Sequence, residues 1–115
     1  MHVRRGEIYY ANLDPVVGSE TGKTRPVIVI QNDIGNTYSP TTIVAVITEY
    51  SEKKASYPVC VAVTTDDGLT KDSIVTLSQI RTIDKKRLNG PRVTALSNEL
   101  MEKVDRALRN SLGLG

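Results

Sequence analysis

Arg25 is the residue of this chain best placed to do chemistry, because its fixed charge stands where a glycine-containing loop meets an apolar strand. Pro26 biases Arg25 toward an extended backbone, so that the side chain projects from the first position of the strand. The preceding loop, residues 16–24, contains Gly18 and Gly22, whose backbone freedom lets the loop bend sharply or move. A guanidinium beside such a loop is suited to binding a phosphate.

Thr48, near the end of another apolar strand, is the second candidate. RNA can be cleaved by its own 2′-hydroxyl, a reaction that needs no protein nucleophile but gains from alignment and charge stabilisation. A guanidinium and a threonine hydroxyl could both donate hydrogen bonds to the crowded phosphorane. The alternatives are structural. Thr48 could be a β-branched residue that fills a strand face, and Arg25 could simply pair with Glu20 or Asp33.

The other common catalytic sets are missing from the sequence. His2 is the only histidine, so neither a catalytic triad nor a histidine-based metal site is expected. Ser19 has no base to activate it, and turn chemistry explains Asp66 and Asp67 better than metal binding does. The lone Cys60 forms no intrachain disulfide, fits a reducing cytosol and is expected to be a buried, inert thiol. The sequence therefore predicts no metal and no cofactor.

Length and charge indicate one domain over residues 1–115, located in the cytoplasm. No apolar run reaches membrane-spanning length, and the first residues lack the apolar core of a signal peptide. The net charge of +2 is too small to indicate nucleic acid by itself. Five cations cluster against the single acid Asp84, and they form either a phosphate-binding surface or a solvated rim: Arg81, Lys85, Lys86, Arg87 and Arg92.

Hydrophobic periodicity predicts short strands followed by one helix. The strands are predicted at residues 7–13, 25–31, 42–49, 57–63, 73–77, 79–84 and 92–95. Turn signals separate them at Asp14-Pro15, Asp67-Gly68 and Asn89-Gly90-Pro91. Apolar residues then recur at helical spacing from Leu96 to Leu112, with Ser97 as N-cap and Gly113 as stop. This order favours a small, curled antiparallel barrel with the helix packed across it.

From residue 3 to residue 114, the chain resembles the MazF/PemK family of bacterial toxin endoribonucleases, especially the branch found in Gram-positive bacteria. The matching stretches are short, but their joint order and spacing are specific. They are Arg5-Gly6-Glu7-Ile8-Tyr9, Asp14-Pro15-Val16-Val17-Gly18-Ser19-Glu20, Arg25-Pro26-Val27-Ile28-Val29-Ile30-Gln31-Asn32-Asp33, Ser39-Pro40-Thr41, Gln79-Ile80-Arg81-Thr82-Ile83-Asp84 and Ser111-Leu112-Gly113-Leu114.

The resemblance implies a mainly β fold, an SH3-like barrel of the CcdB/MazF type with a C-terminal α-helix, and a homodimer. It implies the toxin of a type II toxin–antitoxin system, a metal-independent and sequence-specific endoribonuclease that cleaves single-stranded mRNA. The products would be a 2′,3′-cyclic phosphate and a 5′-hydroxyl, and translation and growth would be inhibited. Arg25 and Thr48 fall on the family's catalytic positions. Expected RNA contacts are Ser19, Glu20, Thr21, Lys23 and Gln79.

The expected protein partner is a MazE-type antitoxin, whose acidic, otherwise disordered segment would imitate an RNA strand in charge and extension. Two other functions remain open on the residues alone. One is a non-catalytic, CcdB-like protein that binds and poisons a topoisomerase, since fold does not fix function. The other is a catalytically silent RNA-binding module that uses the basic cluster and the tyrosines.

Overall fold

A computed structural model describes residues 2–115, which form one antiparallel six-stranded sheet with three helices. The strands are β1 (Glu7–Asn12), β2 (Thr24–Val29), β3 (Thr41–Glu49), β4 (Cys60–Val63), β5 (Ser73–Asp84) and β6 (Leu88–Ala95). The helices are α1 (Asp33–Tyr38), α2 (Glu52–Ala55) and α3 (Asn98–Leu112), and 3₁₀ turns lie at Thr65–Asp67 and Lys85–Arg87. The strand order is β4-β5-β3-β2-β1-β6, so β3 and β2 are central.

The central strands are apolar at consecutive positions because both faces of the sheet are buried. One face, which includes Ile28 and Ile47, packs against α3 through Val104. The opposite face, which includes Val27 and Val46, is enclosed by side chains of the other strands and of the N-terminal segment. The predicted mainly β, antiparallel fold with a C-terminal helix is confirmed. Within residues 2–115 the end strands β4 and β6 are not bonded to each other, so the barrel is open.

Strand β5 is one continuous element, whereas the sequence predicts two strands over the same residues. Its register against β3 shifts, because Ala45 pairs with Ile80 while the next residue, Val46, pairs with Thr76. The residues between them on β5 form a bulge, which bends the strand and redirects side chains. Gln79 lies in this bulge, at the middle of the sheet.

The segment Asn89-Gly90-Pro91 lies inside β6 and is not a separate turn, so the predicted strand start at residue 92 is wrong. Strand β6 pairs with β1 on both sides of an irregularity, through Asn89 with Tyr10 and Thr94 with Ile8. Gly90 has a φ of +69°, which glycine tolerates. The turn-forming residues are thus accommodated at the irregularity, and the strand continues through them.

Helix α3 has the predicted ends. The Ser97 hydroxyl accepts the Leu100 backbone N–H at 3.2 Å, and Gly113 closes the helix with a φ of +70°. Arg5 fastens the helix to the sheet by donating to the Asp105 carboxylate at 2.6 Å and to the Ile30 carbonyl at 2.8 Å. No helix within residues 2–115 is long and apolar enough to cross a membrane.

Candidate active site

Arg25 and Thr48 lie side by side on the two central strands. The antiparallel ladder ends where Val27 of β2 pairs with Val46 of β3, and Arg25 and Thr48 each lie two residues beyond that pair, on the same face of their strands. Both residues also line one cavity of about 200 Å³ at this end of the sheet. The structure therefore brings the two predicted catalytic residues together, although they are distant in the sequence.

The guanidinium of Arg25 is largely unengaged. Its Nε donates to the Gly22 carbonyl at 3.4 Å, and its two terminal nitrogens have no hydrogen-bond or ion-pair partner within residues 2–115. The alternative in which Arg25 pairs with Glu20 or Asp33 is wrong, because neither ion pair forms. Glu20 accepts a backbone N–H of its own loop at 2.6 Å, and Asp33 accepts the Arg5 N–H at 2.7 Å. The half-buried, positively charged guanidinium of Arg25 is thus free to bind an anion.

The hydroxyl of Thr48 is buried and has no hydrogen-bond partner within the described part of the chain. Leaving a buried hydroxyl unpaired costs about 1–3 kcal/mol, and valine would fill the same volume without that cost. Side-chain packing alone therefore does not account for a threonine at this position. A donor or acceptor supplied by a bound molecule would.

The loop between β1 and β2 is closed at its base. The Leu13 N–H donates to the Lys23 carbonyl at 2.9 Å, and the Lys23 N–H donates to Asp14 Oδ1 at 3.0 Å. Gly18 uses its predicted backbone freedom, since its φ is +56°. Gly22 has no positive φ. The residue in the left-handed region beside it is Lys23, with a φ of +65°. Gly22 is needed for a different reason, the close approach of Asp14.

Four of the five predicted RNA contacts border one trough, which we define as two adjoining cavities that share Thr21 and Gln79. The first cavity, of about 300 Å³, is lined by these two residues together with Ser19 and Thr48. The second, of about 320 Å³, adds Glu20. The Thr21 N–H donates to Gln79 Oε1 at 3.4 Å, which joins the loop to the bulge of β5.

Lys23, the fifth predicted contact, is exposed and lines neither cavity of the trough. The basic cluster of residues 81–92 mostly bonds to the protein itself. Arg81 donates to the Leu13 carbonyl at 2.8 Å, and Arg87 donates to the carbonyls of Asn12 and Asp14 at 3.1 and 2.7 Å. Two further cations are engaged in the same way, Arg92 with Glu7 and Lys85 with the Asn36 carbonyl. These bonds favour a structural role, and those of Arg81 and Arg87 anchor the loop between β1 and β2.

Sequence reasoning missed several residues that line the first cavity of the trough: Lys54, Tyr57, Thr76 and Ser78. Lys54 belongs to α2, a four-residue helix that the periodicity does not reveal. Strand alternation with Ile74 places Thr76 on a face of β5 but does not reveal the cavity that it lines. Cys60 lines the same cavity and is half-buried, and burial raises the pKa of its thiol, which keeps it protonated and poorly nucleophilic.

No group of three or more His, Cys, Asp or Glu side chains suited to a metal ion occurs in the part of the chain that the structure describes. Positive charge at this site comes from Arg25, whose terminal nitrogens are unengaged within the described residues, with Lys54 and Arg81 at the lining of the trough, which also offers hydroxyl and amide groups. Such a site can hold a phosphodiester and stabilise added negative charge on it.

Comparison with known proteins identifies the family. Residues 4–112 match the model of PemK-like, MazF-like toxins of type II toxin–antitoxin systems. The chain is 54% identical over 115 residues to Endoribonuclease EndoA of Bacillus subtilis (strain 168), covering 99% of this chain and 97% of that protein.

Solved structures share the fold. MazF from Deinococcus radiodurans superposes with a TM-score of 0.84 at 19% identity, covering 99% of both chains. A mycobacterial endoribonuclease in complex with its cognate antitoxin gives 0.80 at 24% identity, covering 98% of this chain and 97% of that one. With the family model matching nearly the whole length, the chain belongs to the PemK-like and MazF-like toxins of type II toxin–antitoxin systems.

Proposed function

We propose that this chain is a sequence-specific endoribonuclease that cuts single-stranded mRNA and thereby inhibits translation and growth. Its membership of the toxin family and its 54% identity to Endoribonuclease EndoA support the reaction class. The observation that carries the mechanism is the juxtaposition of Arg25, whose terminal nitrogens are unengaged, with the unpaired hydroxyl of Thr48.

The reaction proceeds by attack of the ribose 2′-oxygen on the adjacent phosphorus. The O2′–P bond forms as the 2′-hydroxyl gives up its proton to water, and the P–O5′ bond breaks as the departing O5′ takes a proton from water. The products are a 2′,3′-cyclic phosphate and a 5′-hydroxyl. Arg25 holds the phosphoryl oxygens and stabilises the charge of the phosphorane, and Thr48 adds a hydrogen bond. Because the guanidinium supplies the positive charge, the reaction needs no metal ion.

The trough holds the RNA strand. Ser19, Glu20, Thr21 and Gln79 border it and contact the nucleotides around the cut, and Lys23 at the base of the loop attracts the phosphate backbone. An unpaired strand is the substrate because its bases can separate and enter the cavities, whereas a duplex keeps them stacked.

The protein acts in the cytoplasm as a homodimer and is inhibited by a MazE-type antitoxin. The structure in which the mycobacterial endoribonuclease is bound to its cognate antitoxin supports this partner. An acidic, extended antitoxin segment would place carboxylates near Arg25 and would occupy the trough in place of RNA.

Primer extension on a long RNA treated with the purified protein tests the function and maps the cleavage site. Arg25→Ala is expected to lower cleavage at least about a hundredfold, because a charge-stabilising donor is lost. Arg4→Ala, which removes an exposed cation elsewhere, is the control and should cut at the wild-type rate.

Cleavage should persist in chelator and should disappear when the nucleotide at the cut carries a 2′-methoxy group. Loss of activity in chelator that a divalent ion restores would overturn the mechanism. Intact RNA together with stabilised DNA–topoisomerase complexes would point instead to the CcdB-like poison, which the family match disfavours.

A further inference from the structure

Thr76 carries the second unpaired hydroxyl of the described chain. Its Oγ1 and that of Thr48 are the two buried side-chain oxygens without a hydrogen-bond partner within residues 2–115. Buried hydroxyls in folded proteins are paired as a rule, so two exceptions in one place require an explanation.

The two threonines are neighbours on one face of the sheet. In the antiparallel ladder of β3 and β5, Val46 pairs with Thr76 and Thr48 pairs with Ile74, so the threonines stand on a diagonal. Diagonal neighbours lie roughly 7–8 Å apart, and neither hydroxyl has a partner within residues 2–115, so the two do not bond to each other. Both residues line the first cavity of the trough, beside Gln79. One polar group placed between the two threonines could bond to both.

The position of Thr76 is not explained by packing. It lies between Val75 and Leu77, which point into the core on the α3 side, whereas Thr76 is only partly buried and borders the cavity. Valine would keep the β-branched shape and the strand preference and would leave no unpaired oxygen. Rotation about the Cα–Cβ bond moves Oγ1 among three staggered positions, so the hydroxyl can turn to meet a ligand.

We infer that Thr76 is a substrate-contacting residue, whose hydroxyl bonds to the nucleotide held against Thr48 and fixes its position in the trough. This inference rests on the proposed function. It assigns Thr76 to the binding of the strand, which the enzyme needs both before and during the attack. The loss of its hydroxyl should therefore raise KM more than it lowers kcat.

Thr76→Val tests the inference. We expect kcat/KM for RNA cleavage to fall about tenfold, mainly through KM, which is the size of effect that one hydrogen bond gives. The Kd for an RNA oligonucleotide with a 2′-methoxy group at the cut should rise by the same factor. The melting temperature should equal or exceed that of the wild type, since an unpaired buried oxygen is removed. Thr76→Ser should restore kcat/KM to within about threefold of wild type.

Thr82→Val is the matched control, because Thr82 is an exposed threonine of the same strand, and it should change neither activity nor binding. Unchanged kcat/KM and Kd in Thr76→Val would overturn the inference while the wild type still cuts RNA. A lower melting temperature with activity lost in proportion would also overturn it, because that result identifies a structural role. Failure of the wild type itself to cut RNA would instead refute the proposed function.

Discussion

The carboxylate of Asp14 occupies the space in which a side chain on Gly22 would begin. A Cβ placed on Gly22 would stand 2.5 Å from Asp14 Oδ1, well inside contact distance. The same oxygen accepts the Lys23 N–H at 3.0 Å. Glycine is therefore required at this position by a close contact, and the contact closes the base of the loop that borders the trough.

Gly22→Ala should displace Asp14 and loosen the loop. We expect kcat/KM for RNA cleavage to fall about tenfold, and stability to fall by about 1–3 kcal/mol from the steric conflict. Gly18→Asn is the control, because Gly18 has a φ of +56° with nothing within 4 Å, and asparagine tolerates that region. Cleavage assays and calorimetry measure both effects. Wild-type values in Gly22→Ala would show that the contact is not needed.

Arg87 distinguishes the two interpretations of the basic cluster. Its Nη1 is bonded to the carbonyls of Asn12 and Asp14, so we expect Arg87→Ala to leave the salt dependence of RNA binding unchanged. Lys23→Ala should instead reduce the slope of log K against log salt by about 0.7, as for one lost phosphate contact with a single strand. Titrations at several salt concentrations measure both slopes. A reduced slope in Arg87→Ala would identify Arg87 as a phosphate contact.

Asp33 makes stability depend on pH in the acid range. The hydrogen bond from the Arg5 N–H to its carboxylate lowers the pKa of Asp33 below its ordinary value of 3.8. A lowered folded-state pKa gives stability that is present above 3.8 and is lost as the pH falls through the folded value.

The melting temperature of the wild type should therefore exceed that of Asp33→Asn at about pH 6, and the difference should shrink below about pH 4. Asp66→Asn, which removes an exposed carboxylate elsewhere on the surface, is the control. Thermal melts across this pH range measure the effect. If the melting temperatures of the wild type and Asp33→Asn differ by the same amount down to the lowest pH, the lowered pKa of Asp33 is contradicted.

The sequence was sufficient to predict the elements whose signals are strong and local. The unbroken apolar run of β3 needs both faces of a sheet to be covered, and α3 has a serine N-cap and a glycine stop. The residues alone left a shared site of Arg25 and Thr48 as one of several interpretations, and only the family resemblance favoured it, because strand register depends on tertiary pairing that no local pattern encodes.

The short helices α1 and α2 were not predicted, because four to six residues are too few to show a helical period. Helix α1 is instead held by specific polar contacts. The Asn32 side chain accepts the Gly35 N–H at 2.8 Å, and the buried Asn36 bonds to Gln31 and to Thr42. Thr76 was not predicted either, because the signal that identifies it is not local. Its alternation places it on a face, but the neighbouring hydroxyl and the cavity become visible only when β3 and β5 are paired.

The bonds that anchor the β1–β2 loop end on main-chain carbonyls of residues 12–14, which every amino acid possesses. Side chains nearer the tip of the loop can therefore be exchanged over evolutionary time without releasing its attachment to the barrel. A loop attached in this way can change the groups that it presents to the trough while the scaffold beneath stays constant.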